Sequence, residues 1–281
     1  MSMSLPAAVL AQRSRIEEAA DFLRDRLGPI PTVALILGSG LGSFVDGLTD
    51  SRAIAFDEIP HWASATAPGH AGRLVVGQTG DCRVIVLQGR LHGYEGHAPT
   101  EATFPIRVLR HLGVKTLVVT CAAGSLHEGW QAGDLMLISD QINLTGTNPL
   151  VGPNDPEIGP RFPVMFDAYR ERLRATAREV SAELGLLLRE GVYAGIQGPS
   201  FLTPAELAHL ITIGGDAVGM SVVHEVLVAV HGGLDVVGLA LLSDVARPDE
   251  PTHATAEEVL AVVERSAPRV HALLASLLPR L

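Results

Sequence analysis

The strongest constraint on this chain is the alternation of short, β-branched apolar runs with longer segments of helical periodicity. The runs 32-TVALIL-37, 74-LVVG-77, 83-RVIVLQ-88, 115-KTLVVT-120, 135-LMLIS-139, 190-EGVYAGI-196 and 235-DVVGLALL-242 read as strands. Residues 7–27, 99–112, 168–185, 204–213, 222–232 and 255–279 read as helices. The helix at 204 opens with Pro204 behind a Thr203 N-cap. Several strands are apolar throughout, as a sheet covered on both faces requires. The runs at 74–77 and 83–88, joined by QTGDC, predict an antiparallel hairpin, so the sheet is mixed. Together these elements predict a single α/β domain over 1–281, with a central mixed β-sheet flanked by helices and an N-terminal helix within 1–28. The irregular segment 145-TGTNPLVGPNDPEIGPRFP-163 is too long for an idle connector and reads as a lid, site or interface loop.

Charge and cysteine content narrow the partners. A formal net charge of −10 argues against nucleic acid, whose phosphate backbone needs a basic face. The two cysteines, Cys82 and Cys121, form neither a CxxC motif nor a disulfide framework and suit a reducing compartment. No run approaches the ~18 apolar residues of a membrane span. The N-terminal PAAVLAQ continues into the charged RSRIEEAADFLRDRLG rather than a cleavage site, so a cytoplasmic protein is expected.

Small and polar residues gather at the ends of at least five strands. After the first, 38-GSGLGS-43 places Ser39 among glycines, where backbone amides can converge on an anion. The spacing Gly38-x-Gly40-x-Gly42 and the poorly helical FVDGLTDSRAIAF behind it do not match a dinucleotide fingerprint, and a plain tight turn remains the alternative. In 89-GRLHGYEGH-97, Arg90, His92 and Tyr94 share parity and can face one side: a guanidinium fork, an imidazole donor and a ring able to wall a sugar. Ala122-Ala123-Gly124-Ser125 lets a ligand approach the backbone closely, although packing alone would ask for the same residues. Phe201 in GPSFLTPAE can be an aromatic wall or a core ring. Met220-Ser221 precedes a helix, which Ser221 can cap or use to bind an anion. Asp244 ends an apolar strand, where open sheets bind ligands. His61, His70, His97 and His127 show no metal-ligand spacing, and there is no nucleophile elbow.

Taken in order, LGSGLG, PGHAGRLVVG, LQGRLHGYEGH, TFPIRVLRHLGV, TCAAG, DQINLTGTNPLVGPND, RFPVMFDAY, GVYAGIQGPSFLTPAE and VGMSVVHEV resemble purine nucleoside phosphorylase of the trimeric type, over residues 30–263 or so. The resemblance implies a homotrimer with sites near subunit interfaces. It also implies reversible phosphorolysis of purine (deoxy)nucleosides to free base and pentose 1-phosphate, with inorganic phosphate as co-substrate and no cofactor or metal. It assigns Ser39, His70, Arg90, His92, Ala122 and Ser221 to phosphate. Tyr94 and Met220 fall to ribose, and Phe201, with Leu202, Ala123, Gly124 and Asp244, to the nucleoside. Glu95 matches a carboxylate that orients the phosphate site, and His92, Glu95 and Asp244 are the expected catalytic set.

The sequence departs from this pattern at the base end. Leu202 stands where the family usually has Glu, and Asp244 where 6-oxopurine enzymes have Asn. Ala256 replaces a His near the ribose 5′-OH, with His253 three residues earlier as a possible stand-in, and Ile158 replaces a Phe that reaches a neighbouring subunit's site. An ionised Asp accepts from an exocyclic amine and repels O6, whereas a protonated one donates to N7. Base preference is therefore expected to be altered towards 6-aminopurine nucleosides or 5′-methylthioadenosine, or to remain inosine- and guanosine-like if neighbours or water replace the Glu. A nucleoside-binding protein or a hydrolase is the competing class, and neither needs the oxyanion set.

Overall fold

Adjacent residues of the first strand point into different cores. Ala34 and Ile36 pack on one face of the sheet, Val33 and Leu35 on the other, and all four are buried. Such a strand needs helices on both faces. The computed structural model describes residues 5–249 and 254–281. After helix α1 (Ala7–Leu27) come β1 (Val33–Ile36), β2 (Thr49–Ala55), β3 (Arg73–Thr79) and β4 (Cys82–Gln88). Helices α2 (Pro99–Ala102) and α3 (Phe104–Leu112) lead to β5 (Thr116–Ser125) and β6 (Leu135–Leu144). Then follow α4 (Glu171–Glu183), β7 (Leu188–Ile196), α5 (Pro204–Thr212), β8 (Ala217–Gly219), α6 (Val223–His231), β9 (Asp235–Val245) and α7 (Ala256–Leu277).

The strands form one mixed sheet in the order β2-β3-β4-β1-β5-β8-β7-β6-β9, and β9 also pairs with β5. The last five strands therefore close into a ring, with β5 shared between ring and open sheet. β1 runs parallel to both β4 and β5, while the expected β3–β4 hairpin is antiparallel. Helices α1, α3 and α6 cover one face through residues such as Leu23, Leu109 and Val226. Helices α4 and α7 cover the other through Val180, Val263 and Leu273.

Local chemistry sets several boundaries. Thr203 accepts from the Glu206 amide while Glu206 accepts from Thr203, a capping box that starts α5 at Pro204 as expected. The helix predicted over 99–112 is instead two. It breaks at Thr103 (φ −100°, ψ 1°), and Pro105 has no N–H to bridge the break. Two strands escaped the sequence reading. β2 is an edge strand with most residues exposed, so it carries no apolar alternation, and β8 is only three residues long.

Thr120 lies where β1 meets β5. Its hydroxyl donates to the Ile36 carbonyl (2.9 Å) and accepts from the Gly38 amide (3.0 Å), stitching the β1 turn to the sheet. A Cβ on Gly38 would lie 2.8 Å from the Cys121 Cα and 2.9 Å from the Thr120 carbonyl oxygen, closer than backbone permits. The substitution Gly38→Ala is therefore expected to cost about 1–3 kcal/mol, read as a lower urea midpoint with an unchanged slope.

Candidate active site

The carboxyl ends of β1, β4, β5, β7, β8 and β9 surround one cavity of about 250 Å³. Ser39, Arg90, His92, Tyr94, Ala122, Ala123, Gly124, Phe201, Leu202, Met220, Ser221 and Asp244, all candidates from the sequence, line it. Loops of one strand end are far apart in sequence but adjacent in space, and open α/β sheets bind ligands at that end.

One end of the cavity is polar. Arg90 is the only Lys or Arg lining it among the described residues, and its side chain is 4 % exposed. Glu225 accepts from Arg90 Nε (2.9 Å) and Nη2 (3.3 Å), and the Thr120 carbonyl accepts from Nη1 (2.7 Å). Burial opposes the charge on Arg90, but Glu225 outweighs it, so the guanidinium pKa sits above its ordinary value. Of its five N–H groups two remain, one on each terminal nitrogen. The fork that the sequence offers to an oxyanion is thus half spent on the protein.

His92 behaves differently from the expected donor. Its Nδ1 lies 3.0 Å from Glu95 Oε1, which also accepts from the His92 amide (2.8 Å). Burial tends to raise the Glu95 pKa. The donors around it, Thr66 Oγ1 (2.6 Å), the Thr66 amide (2.7 Å) and His92, hold it at about 2 instead. A carboxylate can only accept, so the shared hydrogen belongs to Nδ1. Burial and the nearby Arg90 charge lower the His92 pKa, favouring the neutral ring, whose Nε2 is then an acceptor. Glu95 and His70 stand behind the cavity wall rather than on it. Glu95 ties the His92 turn to the 66–67 backbone. His70 Nε2 lies 3.3 Å from Ser39 Oγ, and the His70 and His92 ring centres are 5.1 Å apart.

The backbone around Ser221 also differs from expectation. Ser221 does not cap α6. The N-cap position is Val222, at φ 70° and ψ −53°, and the Val223 amide donates to the Ser221 carbonyl (2.8 Å). This is the rarer hand of γ-turn, a strained conformation for a β-branched residue. The buried Tyr193 hydroxyl accepts from the Ser221 amide (3.2 Å) and braces the turn.

Apolar walls make up the other end. Leu202 lines it with Ile196, Leu207, Val218 and Ala246, none of which the sequence reading singled out. Phe201 is a cavity wall rather than a core ring, and it remains 55 % exposed. Asp244 is the one carboxylate lining the cavity among the described residues. A β-bulge turns it inward: Leu242 pairs with Ala123 and Asp244 with Gly124, leaving Ser243 as the extra residue. Ser243 Oγ donates to Asp244 Oδ1 (2.7 Å), and glycine at 124 leaves room for the carboxylate, 3.3 Å from where a Cβ would stand.

Three expectations fall elsewhere. No residue of 145–163 lines this cavity. That segment is held to α6 by His224 Nε2, which lies 2.9 Å from Thr145 Oγ1 and 3.1 Å from Thr147 Oγ1. Ile158 is partly buried against the core of its own chain. His253 lies outside the described residues. The main residue that sequence reasoning missed is Glu225. Its signal was present: a lone carboxylate inside the apolar helix VHEVLVAV, a setting where a charge is rarely buried unless paired.

Comparison with known proteins places the chain in a family. A family model described as the phosphorylase superfamily matches residues 32–279. A purine nucleoside phosphorylase 1 from Geobacillus stearothermophilus is 47% identical over 253 residues, covering 90% of this chain and 92% of that protein. The purine nucleoside phosphorylase of Bos taurus is 44% identical, covering 90% of each. A Schistosoma mansoni purine nucleoside phosphorylase solved with adenosine superposes with a TM-score of 0.91 at 36% identity, covering 95% of this chain and 97% of that one. The chain belongs to the purine nucleoside phosphorylases of the phosphorylase superfamily.

Burial, then the nearby Arg90 charge, lowers the His70 pKa from 6.5 to about 3. The unfolded chain takes up a proton near the ordinary value and the folded one resists it. The associated stability is therefore complete above 6.5 and is lost as the pH falls towards 3. His70→Asn should flatten, without abolishing, the fall in urea midpoint between about pH 6.5 and 4, since His92 shifts in the same direction.

Proposed function

We propose that the chain catalyses the reversible phosphorolysis of purine (deoxy)ribonucleosides, releasing free base and pentose 1-phosphate. The observation that carries this reading is a single cavity with an oxyanion end built from Ser39, Arg90, His92 and Ser221 and an apolar, aromatic-walled end opposite. Hydrogen phosphate would lie against Arg90 and the two serines, its hydroxyl donating to the bare Nε2 of His92. Tyr94 and Met220 would flank the sugar between the two ends. The C1′–N9 bond breaks as the sugar gains oxocarbenium character and a phosphate oxygen bonds C1′; the departing purine takes a proton from water, balanced by the one that the attacking hydrogen phosphate gives up. Phosphate, fixed beside the developing cation, lowers the barrier by position and by charge. A hydrolase or a nucleoside-binding protein would have no use for the oxyanion end.

The base end favours a second, narrower reading: acceptance of 6-aminopurine nucleosides, including 5′-methylthioadenosine. Leu202 offers no hydrogen bond to a purine N1–H, and a buried unpaired N–H costs about 1–3 kcal/mol. Adenine has no N1–H, and its exocyclic amine can donate to the Asp244 carboxylate. The Schistosoma mansoni relative was solved with adenosine and a schistosoma purine nucleoside phosphorylase with hypoxanthine, so both classes of base are found among similar proteins.

Two further readings complete the proposal. The first is assembly into trimers, supported by Phe162, Val164 and Phe166, which are 83 %, 76 % and 90 % exposed in one short segment of the single chain. The second is a cytoplasmic setting for purine salvage, supported by the two free cysteines and a fold in which no described helix is long and apolar enough to cross a membrane.

Base release from inosine or adenosine should depend on added phosphate, and Arg90→Ala should raise the phosphate KM by about 10–100-fold, the worth of a charged hydrogen-bonding group. Phosphate-independent release would overturn the phosphorylase reading. Across inosine, guanosine, adenosine and 5′-methylthioadenosine, the two aminopurines should be turned over, and Asp244→Asn should lower kcat/KM for adenosine relative to inosine by about tenfold or more. Strong inosine turnover with adenosine inert would sink the narrower reading.

A further inference from the structure

Glu225 reaches the oxyanion end from outside the cavity. It is borne on the first turn of α6, is 7 % exposed and does not line the cavity itself. Its two carboxylate oxygens take Arg90 Nε and Nη2, and the Thr120 carbonyl takes Nη1, so every nitrogen of the guanidinium is engaged. A planar group held at three nitrogens can neither rotate about its last bond nor flip. Its two remaining N–H groups keep one direction whether or not an anion is present. Without the carboxylate, Arg90 would be a buried cation with a single protein acceptor and freedom to turn.

We infer, resting on the phosphorolysis reading above, that Glu225 is the positioning residue of the phosphate site. It holds Arg90 in the orientation that presents two N–H groups to the oxyanion. It also offsets the guanidinium charge. The site therefore recognises phosphate through fixed donors more than through net positive charge. The γ-turn at Val222 joins the two halves of this device, because Ser221 lies on one side of it and the α6 turn bearing Glu225 on the other. A displacement of α6 would move the Ser221 and Arg90 donors together.

The test is steady-state kinetics of Glu225→Gln with phosphate and nucleoside varied separately. Glutamine keeps the shape but points an NH2 at a guanidinium N–H. The phosphate KM should rise by about tenfold or more while the nucleoside KM stays within about threefold. In an Arg90→Ala background the same substitution should add little further loss, since the two residues act as one unit. Equal rises in both KM values, an unchanged phosphate KM, or full additivity in the double variant would overturn the inference. If Glu225→Gln fails to fold, Glu225→Asp decides. It keeps the charge but shortens the reach, so a raised phosphate KM at constant nucleoside KM supports the role and an unchanged one overturns it. Phosphate-independent base release by the unaltered enzyme would instead strike the phosphorolysis reading.

Discussion

Thr120 holds the polar end of the cavity and the centre of the sheet together. Its hydroxyl bonds the end of β1 and the Gly38 turn, and its carbonyl bonds the Arg90 guanidinium. Both partners come from strands or turns on one side of β5, and β5 is also the strand shared between open sheet and closed ring. The turn that carries Ser39 and the strand end that carries Arg90 are thus positioned from a single buried residue, 1 % exposed. Because its polar atoms are satisfied inside the core, the arrangement is rigid before any ligand arrives, and preformed donors are what stabilise developing charge most effectively.

Electrostatics around that point follow from burial. Arg90 keeps its charge because Glu225 is beside it, while His70 and His92 are driven towards neutrality by desolvation and by the same arginine. Glu95 keeps its charge because Thr66 and His92 donate to it. The polar end thus holds two full ion sites, each matched, and two neutral imidazoles. At the opposite end, a single β-bulge turns Asp244 into an otherwise apolar surface, so one carboxylate is the only charged group there among the described residues.

Much of this was legible in the sequence, and the exceptions have physical causes. The buried strands and most long helices announce themselves through apolar periodicity, since that pattern is what covers a sheet on both faces. β2 does not, because an exposed edge strand has no core face to encode. The turns at the strand ends supplied twelve of the cavity's lining residues, since small and polar residues at such ends have few other reasons to be there. Glu225 was not found this way. It belongs to a helix whose other residues serve the core, and only its partner, 135 positions earlier in the chain, gives it meaning.

The sequence alone determined the α/β class, the strand ends that would carry chemistry and the substitutions at Leu202 and Asp244. These follow from local periodicity and from the identity of single residues. Only the tertiary structure decided which groups of Arg90 remain free, that neutral His92 accepts rather than donates, that Ser221 sits on a strained γ-turn rather than capping a helix, and that Glu95 works from behind the wall. Each of these depends on which atoms of distant segments come within hydrogen-bond distance, and on how far water is excluded around them. Residue type fixes a side chain's donors and acceptors, but packing fixes which of them are already spent.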